Sequence, residues 1–271
     1  MFINPNGKIT TKQGRGDLLN QLGGKQNLII TDYLDNGLTL QQIIDSANLT
    51  DAWTSENLNI SGTTTTMINY VGATNLINPA ASNQPLLVPN EINGKPILRF
   101  ITDDILRGTI ANWRSADTSG QITIVVKQNS TALSTFFGSS DTSSTKIWDV
   151  RKTATTNIVE HLHNSGNTVS ATTKGTQDLG TSLFKVLTIA SNGSTDKMFV
   201  NGASETISSG TLGGKWLADL PTQRDNISLG GIIFSSSAYA NVDIFGAFYG
   251  NYTSDADIIA FHDKLKTYLG L

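Results

Sequence analysis

Paired carboxyl groups are the first chemistry to look for in this chain, because glycoside hydrolysis needs an acid and a nucleophile or base close together. The chain contains only four glutamates, which are scattered at Glu56, Glu91, Glu160 and Glu205. It has no cysteine to act as a thiol nucleophile, and no Gly-x-Ser-x-Gly elbow to present a catalytic serine. The residue types therefore predict a protein that is not an enzyme.

Two histidines, His161 and His163, lie two residues apart in a run typical of a β-strand. Side chains at this spacing project from the same face of a strand, as a pair of metal ligands requires. No third ligand can be identified, so two histidines on a solvated strand face is the favoured interpretation. His262 lies between apolar positions of a C-terminal helical pattern and is predicted at the boundary of the core.

Neighbouring acidic residues at Asp103 and Asp104 could offer hard oxygen ligands to calcium. The alternative, which we favour, is a solvated turn before Ile105 and Leu106. Neither Gly213-Gly214 nor Gly230-Gly231 has the spacing of a phosphate-binding loop. No cofactor is implied, and calcium is the one ion left open.

Exposed aromatic side chains are the residues on which the apolar face of a sugar stacks. Trp113 and Trp216 fall in predicted loops and are the better exposed candidates, with burial under a loop as the alternative. In the run 146–151, Trp148 alternates with Asp149 and Arg151, so the tryptophan is predicted to face the core. The candidate carbohydrate-binding residues are Trp113, Trp216, Asp149, Arg151, His161 and His163.

Charge and hydropathy exclude two classes of partner. Only 15% of the residues are charged, the net charge is −3, and the 19 lysines and arginines are scattered. No basic stripe is available to neutralise a row of phosphates, so nucleic-acid binding is disfavoured. The apolar stretches are shorter than the ~20 residues that span a bilayer. The first 12 residues show no pattern of a signal peptide.

The elements that must position these residues are mostly strands. Short runs rich in Val, Ile, Thr and Phe, bounded by Gly, Asn, Ser or Asp, are typical of an antiparallel β-sandwich. The predicted runs are 97–101, 121–128, 133–138, 146–151, 156–163, 183–190, 197–201, 227–234 and 242–249. A capping box at Thr39 and Gln42 predicts a short helix, and Ser254 is the predicted N-cap of a C-terminal helix reaching Leu269.

Several segments carry a resemblance to a known superfamily. The stretch Ala81–Phe100, the hairpin Lys197–Gly202 and the terminal helix after residue 254 resemble the concanavalin A-like lectin/glucanase superfamily, in its laminin-G-like branch. The resemblance covers roughly residues 51–271 and implies a two-sheet antiparallel jelly-roll sandwich. Its glucan-cleaving members carry Glu-x-Asp-x-x-Glu, and no glutamate here has an acidic neighbour at those spacings.

The resemblance and the Asn-, Ser- and Thr-rich composition together suggest a function. Domains of this kind resemble phage virion proteins and cell-surface adhesins. We expect a non-enzymatic virion surface protein, a fibre, tail or capsid-decorating component that binds host glycans. Residues 1–50 form an N-terminal extension predicted to contact other virion proteins or further copies of the chain. The alternatives are a bacterial cell-surface or extracellular carbohydrate-binding or adhesive module, and an atypical glycan-cleaving enzyme.

Overall fold

The computed structural model describes residues 38–154, 156–165, 170–220, 222–234 and 237–271. Its helices are α1 (Leu40–Asp45) and α2 (Asp255–Leu269). Its strands are β1 (Leu49–Ser61), β2 (Thr64–Asn69), β3 (Leu76–Ile77), β4 (Leu86–Ile92), β5 (Lys95–Phe100), β6 (Leu106–Thr109), β7 (Gly120–Gln128), β8 (Ser134–Ser140), β9 (Lys146–Lys152), β10 (Ile158–Ser165), β11 (Ser170–Asp178), β12 (Lys185–Ser191), β13 (Asp196–Val200), β14 (Ala203–Ser204), β15 (Ser209–Gly210), β16 (Asn226–Leu229), β17 (Gly231–Ile233), β18 (Ser237–Tyr239) and β19 (Val242–Gly250).

The strands form two antiparallel sheets. Sheet A has the order β4-β5-β19-β7-β12-β13-β14. Sheet B has the order β2-β3-β6-β16-β8-β9-β10-β11-β15. The hairpin β17–β18 lies beside sheet B, where Ile232 packs with Ile147 and Leu162. The predicted all-β, two-sheet antiparallel jelly-roll sandwich with a C-terminal helix is confirmed.

Strand β1 joins the two sheets. Its first half, up to Thr54, pairs with β19 of sheet A, and its second half, from Leu58 to Ser61, pairs with β2 of sheet B. The register shifts between Trp53 and Leu58, where the strand passes from one sheet to the other. Such a corner lets one long strand close the edge of a sandwich.

The main core lies between the inner faces of the sheets, and the outer face of sheet A is covered as well. On β7, Ile124 and Val126 point into the main core, while Val125 packs with Phe248 and with Phe261 of α2. Helices α1 and α2 thus bury a second apolar layer. This explains why β7 is a nearly continuous apolar run rather than an alternating one.

The short helix α1 belongs to the sandwich. Thr39 and Gln42 form the predicted capping box, and Leu40, Ile43 and Ile44 are buried in the layer shared with α2. The compact unit accordingly begins at Leu38, so residues 38–50 are part of the domain and not of the extension to which the sequence assigns them. The rest of the predicted attachment segment, residues 1–37, lies outside the described residues.

Helix α2 is held on sheet A by a buried histidine. Ser254 caps the helix as predicted, but His262 is fully buried, so its predicted place at the boundary of the core is wrong. Its Nδ1 accepts the N–H of Gly202 at 2.8 Å, so Nε2 donates to Thr188 Oγ1 at 2.6 Å. Burial, helped by the charge of Lys266, lowers the pKa of His262 to about 3 and keeps it neutral.

Candidate functional site

A cleft of about 470 Å³ opens between two loops of the sandwich. It is lined by Asp51 at the start of β1, by residues 72–74 between β2 and β3, and by residues 110–117 after β6; we call it the loop cleft. Its volume lies within the range of roughly 300–1,000 Å³ that is usual for small-molecule sites. The three segments that form it are far apart in the sequence.

The floor of the loop cleft is aromatic. Trp113 is only 3% exposed and packs against Tyr249, with ring centroids 4.6 Å apart, and against Trp53 and Phe137. The expectation of an exposed tryptophan is therefore wrong, and burial under the loop, the alternative, is what the fold produces. Trp113 lies within the segment 110–117 that lines the cleft, and the packed rings give the cleft a rigid base.

One wall of the loop cleft is a fixed ion pair. Arg114 donates from Nε and from its terminal nitrogen to Oδ2 of Asp51, at 3.1 and 2.6 Å. Arg114 and Asn112 both have positive φ angles, 54° and 50°, which is costly for an arginine and is often found at functional sites. A Cβ on Gly72 would lie 2.2 Å from Asp51 Oδ1, so glycine is required there.

A chain of hydrogen bonds that begins in the core fixes the carboxylate of Asp117. Trp216 Nε1 donates to the hydroxyl of Tyr249 at 3.0 Å, and that hydroxyl donates to Asp117 Oδ2 at 2.8 Å. Burial, and secondly the charge of Asp117, raises the pKa of Tyr249, so its proton stays in this bond. Trp216 is fully buried, which corrects the expectation that it is exposed. Its indole positions Asp117 through the hydroxyl of Tyr249.

The predicted pair Asp149 and Arg151 belongs to a charged cluster on sheet B. Arg151 Nε donates to Glu160 Oε2 at 2.7 Å, and Arg151 lies 4.0 Å from Asp149 Oδ2. Glu160 also pairs with Lys174 at 3.1 Å. Burial raises the pKa of Asp149 to about 7, against the opposing charge of Arg151. Asp149 is 1% and Glu160 4% exposed, so the carboxyl groups are covered.

The two histidines of β10 share the inner face of the strand. His161 and His163 are both buried, which corrects the expectation of a solvated face. The ring of His161 packs edge-on against Trp148 and Trp216, and burial lowers the pKa values of His161 and His163 to about 3 and 4. Trp148 lies in the core as predicted. In the described part of the chain, no three His, Asp or Glu side chains are grouped to hold a metal.

The corner at Asp103 and Asp104 is a turn held by its own bonds. Asp104 Oδ2 accepts the N–H of Ile101 at 2.9 Å, and Asn83 donates to the carbonyl of Asp103 at 2.8 Å. Asp104 is buried rather than solvated, and burial raises its pKa. The pair therefore closes the turn before β6.

No helix in the described ranges is long and apolar enough to cross a membrane.

No family model and no curated protein matches this chain. It is similar to Trypanosoma rangeli sialidase in complex with sialic acid (10% identity, TM-score 0.56), over 81% of this chain and 33% of that one. It is also similar to the binding domain of botulinum neurotoxin DC in complex with SialylT, at 13% identity and a TM-score of 0.53. That match covers 82% of this chain and 52% of the other chain. The Ruminococcus gnavus IT-sialidase CBM40 matches at 18% identity and a TM-score of 0.45. That match covers 52% of this chain and 81% of the other chain.

At these identities the likeness concerns the fold alone. The chain spans about a third and a half of the two larger structures. The likeness defines the class of fold, a β-sandwich.

Proposed function

We propose that this chain is a non-catalytic carbohydrate-binding β-sandwich protein that holds its glycan in the loop cleft. The loop cleft is the observation that carries the proposal: Arg114, Asn112 and Asp117 present donors and acceptors above the aromatic floor of Trp113. Sugar hydroxyls need such planar groups in fixed positions, because each group ordered only on binding would cost affinity.

A binding role is favoured over hydrolysis by the burial of the carboxyl pair. Asp149, whose pKa is raised, and Glu160 lie on either side of Arg151. An atypical glycan-cleaving enzyme, which is the alternative, would need such a pair of an acid and a carboxylate. Both are almost fully covered, which disfavours direct contact with a glycosidic oxygen. Steady release of reducing ends that is abolished by Asp149→Asn would favour the enzyme instead.

The fuller form of the proposal is a virion surface component, a fibre, tail or capsid-decorating protein. Residues 1–37 then attach the domain to other virion proteins or to further copies of the chain. Support comes from the neutral polar composition, with 15% charged residues, and from a compact unit that begins only at Leu38. The alternative is an adhesive module on a bacterial surface.

Removing residues 1–37 is expected to abolish incorporation into particles while the domain still folds. The compact unit from Leu38 contains both helices and both sheets, so its circular dichroism and thermal unfolding should be retained. Particles assembled with the shortened chain, probed by immunoblot, test this. Normal incorporation would contradict the attachment role, and a gene neighbourhood of secretion or anchoring genes would favour the adhesive module.

Filling the loop cleft is expected to remove glycan binding. Ser115 is an exposed residue of the cleft whose side chain supports no described contact, so the indole of Ser115→Trp occupies the cleft without disturbing the fold. We expect affinity for any bound glycan on an array to fall roughly tenfold or more. Ser82→Trp, at an exposed residue outside the cleft lining, is the matched control. Equal binding by both variants would place the glycan elsewhere.

A further inference from the structure

We infer that the loop cleft selects uncharged glycans and disfavours sialylated ones, a specificity that rests on the proposed function. The cleft lining carries two carboxylates, Asp51 and Asp117, and one guanidinium, Arg114, a balance of minus one. Arg114 is bound to Asp51 through two nitrogens, so its charge is already matched. A carboxylated sugar therefore meets a cleft whose remaining charge has its own sign.

Asp117 is the unmatched charge. Among the ion pairs of the described residues, none involves Asp117. Its one described side-chain bond is the hydrogen bond from Tyr249, a neutral donor, which leaves the second carboxylate oxygen as an acceptor for a ligand. A glycan carboxylate placed near it would be repelled and would lose its own hydration.

Contacts to its side chain and to its backbone hold Asp117 in place. Tyr249 is fully buried and is itself held by Trp216, and Gly120 packs so closely on both that a Cβ there would lie 2.5 Å from Trp216 Nε1. The backbone of Asp117 is also fixed, because its carbonyl accepts the N–H of Ala218 at 2.9 Å. Fixed acceptors suit neighbouring hydroxyl groups, which donate to a carboxylate, and disfavour the carboxylate group of a sugar, which offers only acceptors.

The test is an array of paired glycans, each neutral oligosaccharide beside its sialylated form. We expect the wild-type chain to bind neutral members roughly tenfold or more tightly than their sialylated partners, since like-charge contacts in an interface are strongly unfavourable. Asp117→Asn keeps an acceptor for Tyr249 but removes the charge, and should shrink the difference to about twofold. Asp263→Asn, at an exposed residue of α2, makes the same change in net charge and should leave it intact. The preference should also weaken at 1 M salt, where the screening length falls to about 3 Å.

The outcomes separate the two proposals. Sialylated glycans bound as tightly as their neutral partners, in a manner lost in Ser115→Trp, would overturn the selectivity and leave the glycan-binding function standing. A neutral preference that Asp117→Asn and Asp263→Asn reduce equally would overturn the role of Asp117. No binding to any member of the array would overturn the proposed function together with this inference.

Discussion

Replacing Gly230 with alanine is expected to lower the free energy of unfolding by about 3–5 kcal/mol. Gly230 has a φ of +77°, which alanine adopts only with strain, and a Cβ there would lie 2.0 Å from Cδ1 of Phe100. Phe100 is fully buried in the main core, so its ring cannot move aside without opening the packing between the sheets. Equilibrium unfolding in urea, with the slope checked for two-state behaviour, measures the loss.

A matched glycine separates the steric cost from the backbone cost. Gly62 also has a positive φ, +58°, but no heavy atom lies within 4 Å of a Cβ built on it. Gly62→Ala should therefore cost only about 1 kcal/mol, which is the backbone strain alone. Similar losses in the two variants would show that Phe100 does not constrain this position.

Acidification from pH 7 to pH 4 is expected to destabilise the fold by about 5 kcal/mol. His161, His163 and His262 are buried, and burial lowers their pKa values from 6.5 to about 3, 4 and 3. Below pH 6.5 the unfolded chain binds protons that the folded chain does not, so stability falls with pH until these folded pKa values are reached. Asp149 acts in the opposite direction. Its pKa of about 7 means that the folded state binds a proton at a higher pH than the unfolded state does, and this offsets the destabilisation from about one histidine.

The variant His161→Phe isolates one of these contributions. Both ring nitrogens of His161 are buried without a hydrogen-bond partner among the described residues, and the ring packs against Trp148 and Trp216. A phenyl ring keeps the packing, so we expect about 1 kcal/mol of added stability at pH 7. The loss at pH 4 should be about half that of the wild-type chain, because three histidines offset by Asp149 amount to about two and one of these is removed. Chemical denaturation at several pH values gives both numbers. An unchanged pH dependence would mean that burial does not keep His161 neutral.

Local patterns in the sequence predict local structure well. The capping residues Thr39 and Ser254 begin the two helices, and most predicted runs coincide with strands, because caps and side-chain alternation act over a few residues. The pattern over 227–234 predicts one strand, yet Gly230 divides it into β16 and β17. The close approach of Phe100, from a strand distant in sequence, makes glycine necessary at that break, and no local pattern records it.

Exposure is the property that the sequence predicts least well. Trp216, His161 and His163 are solvent-facing candidates by their sequence pattern, yet all are buried in the structure. Alternation shows that two side chains share a face of a strand, but which face is inner depends on the partner sheet. A loop tryptophan is likewise exposed or buried according to which residues lie above it.

By itself the sequence determined the class of fold, the caps, the strand alternation and the absence of thiol chemistry, because each depends on composition or on neighbours along the chain. Only the tertiary structure decided the loop cleft and the pair formed by Asp149 and Glu160. The cleft joins Asp51 to Arg114 by a hydrogen bond with a sequence separation of 63. The carboxyl pair spans two strands whose register is set by the sheet. Side chains that meet only when distant segments pack leave no periodic signal in the chain, and their burial arises only on folding.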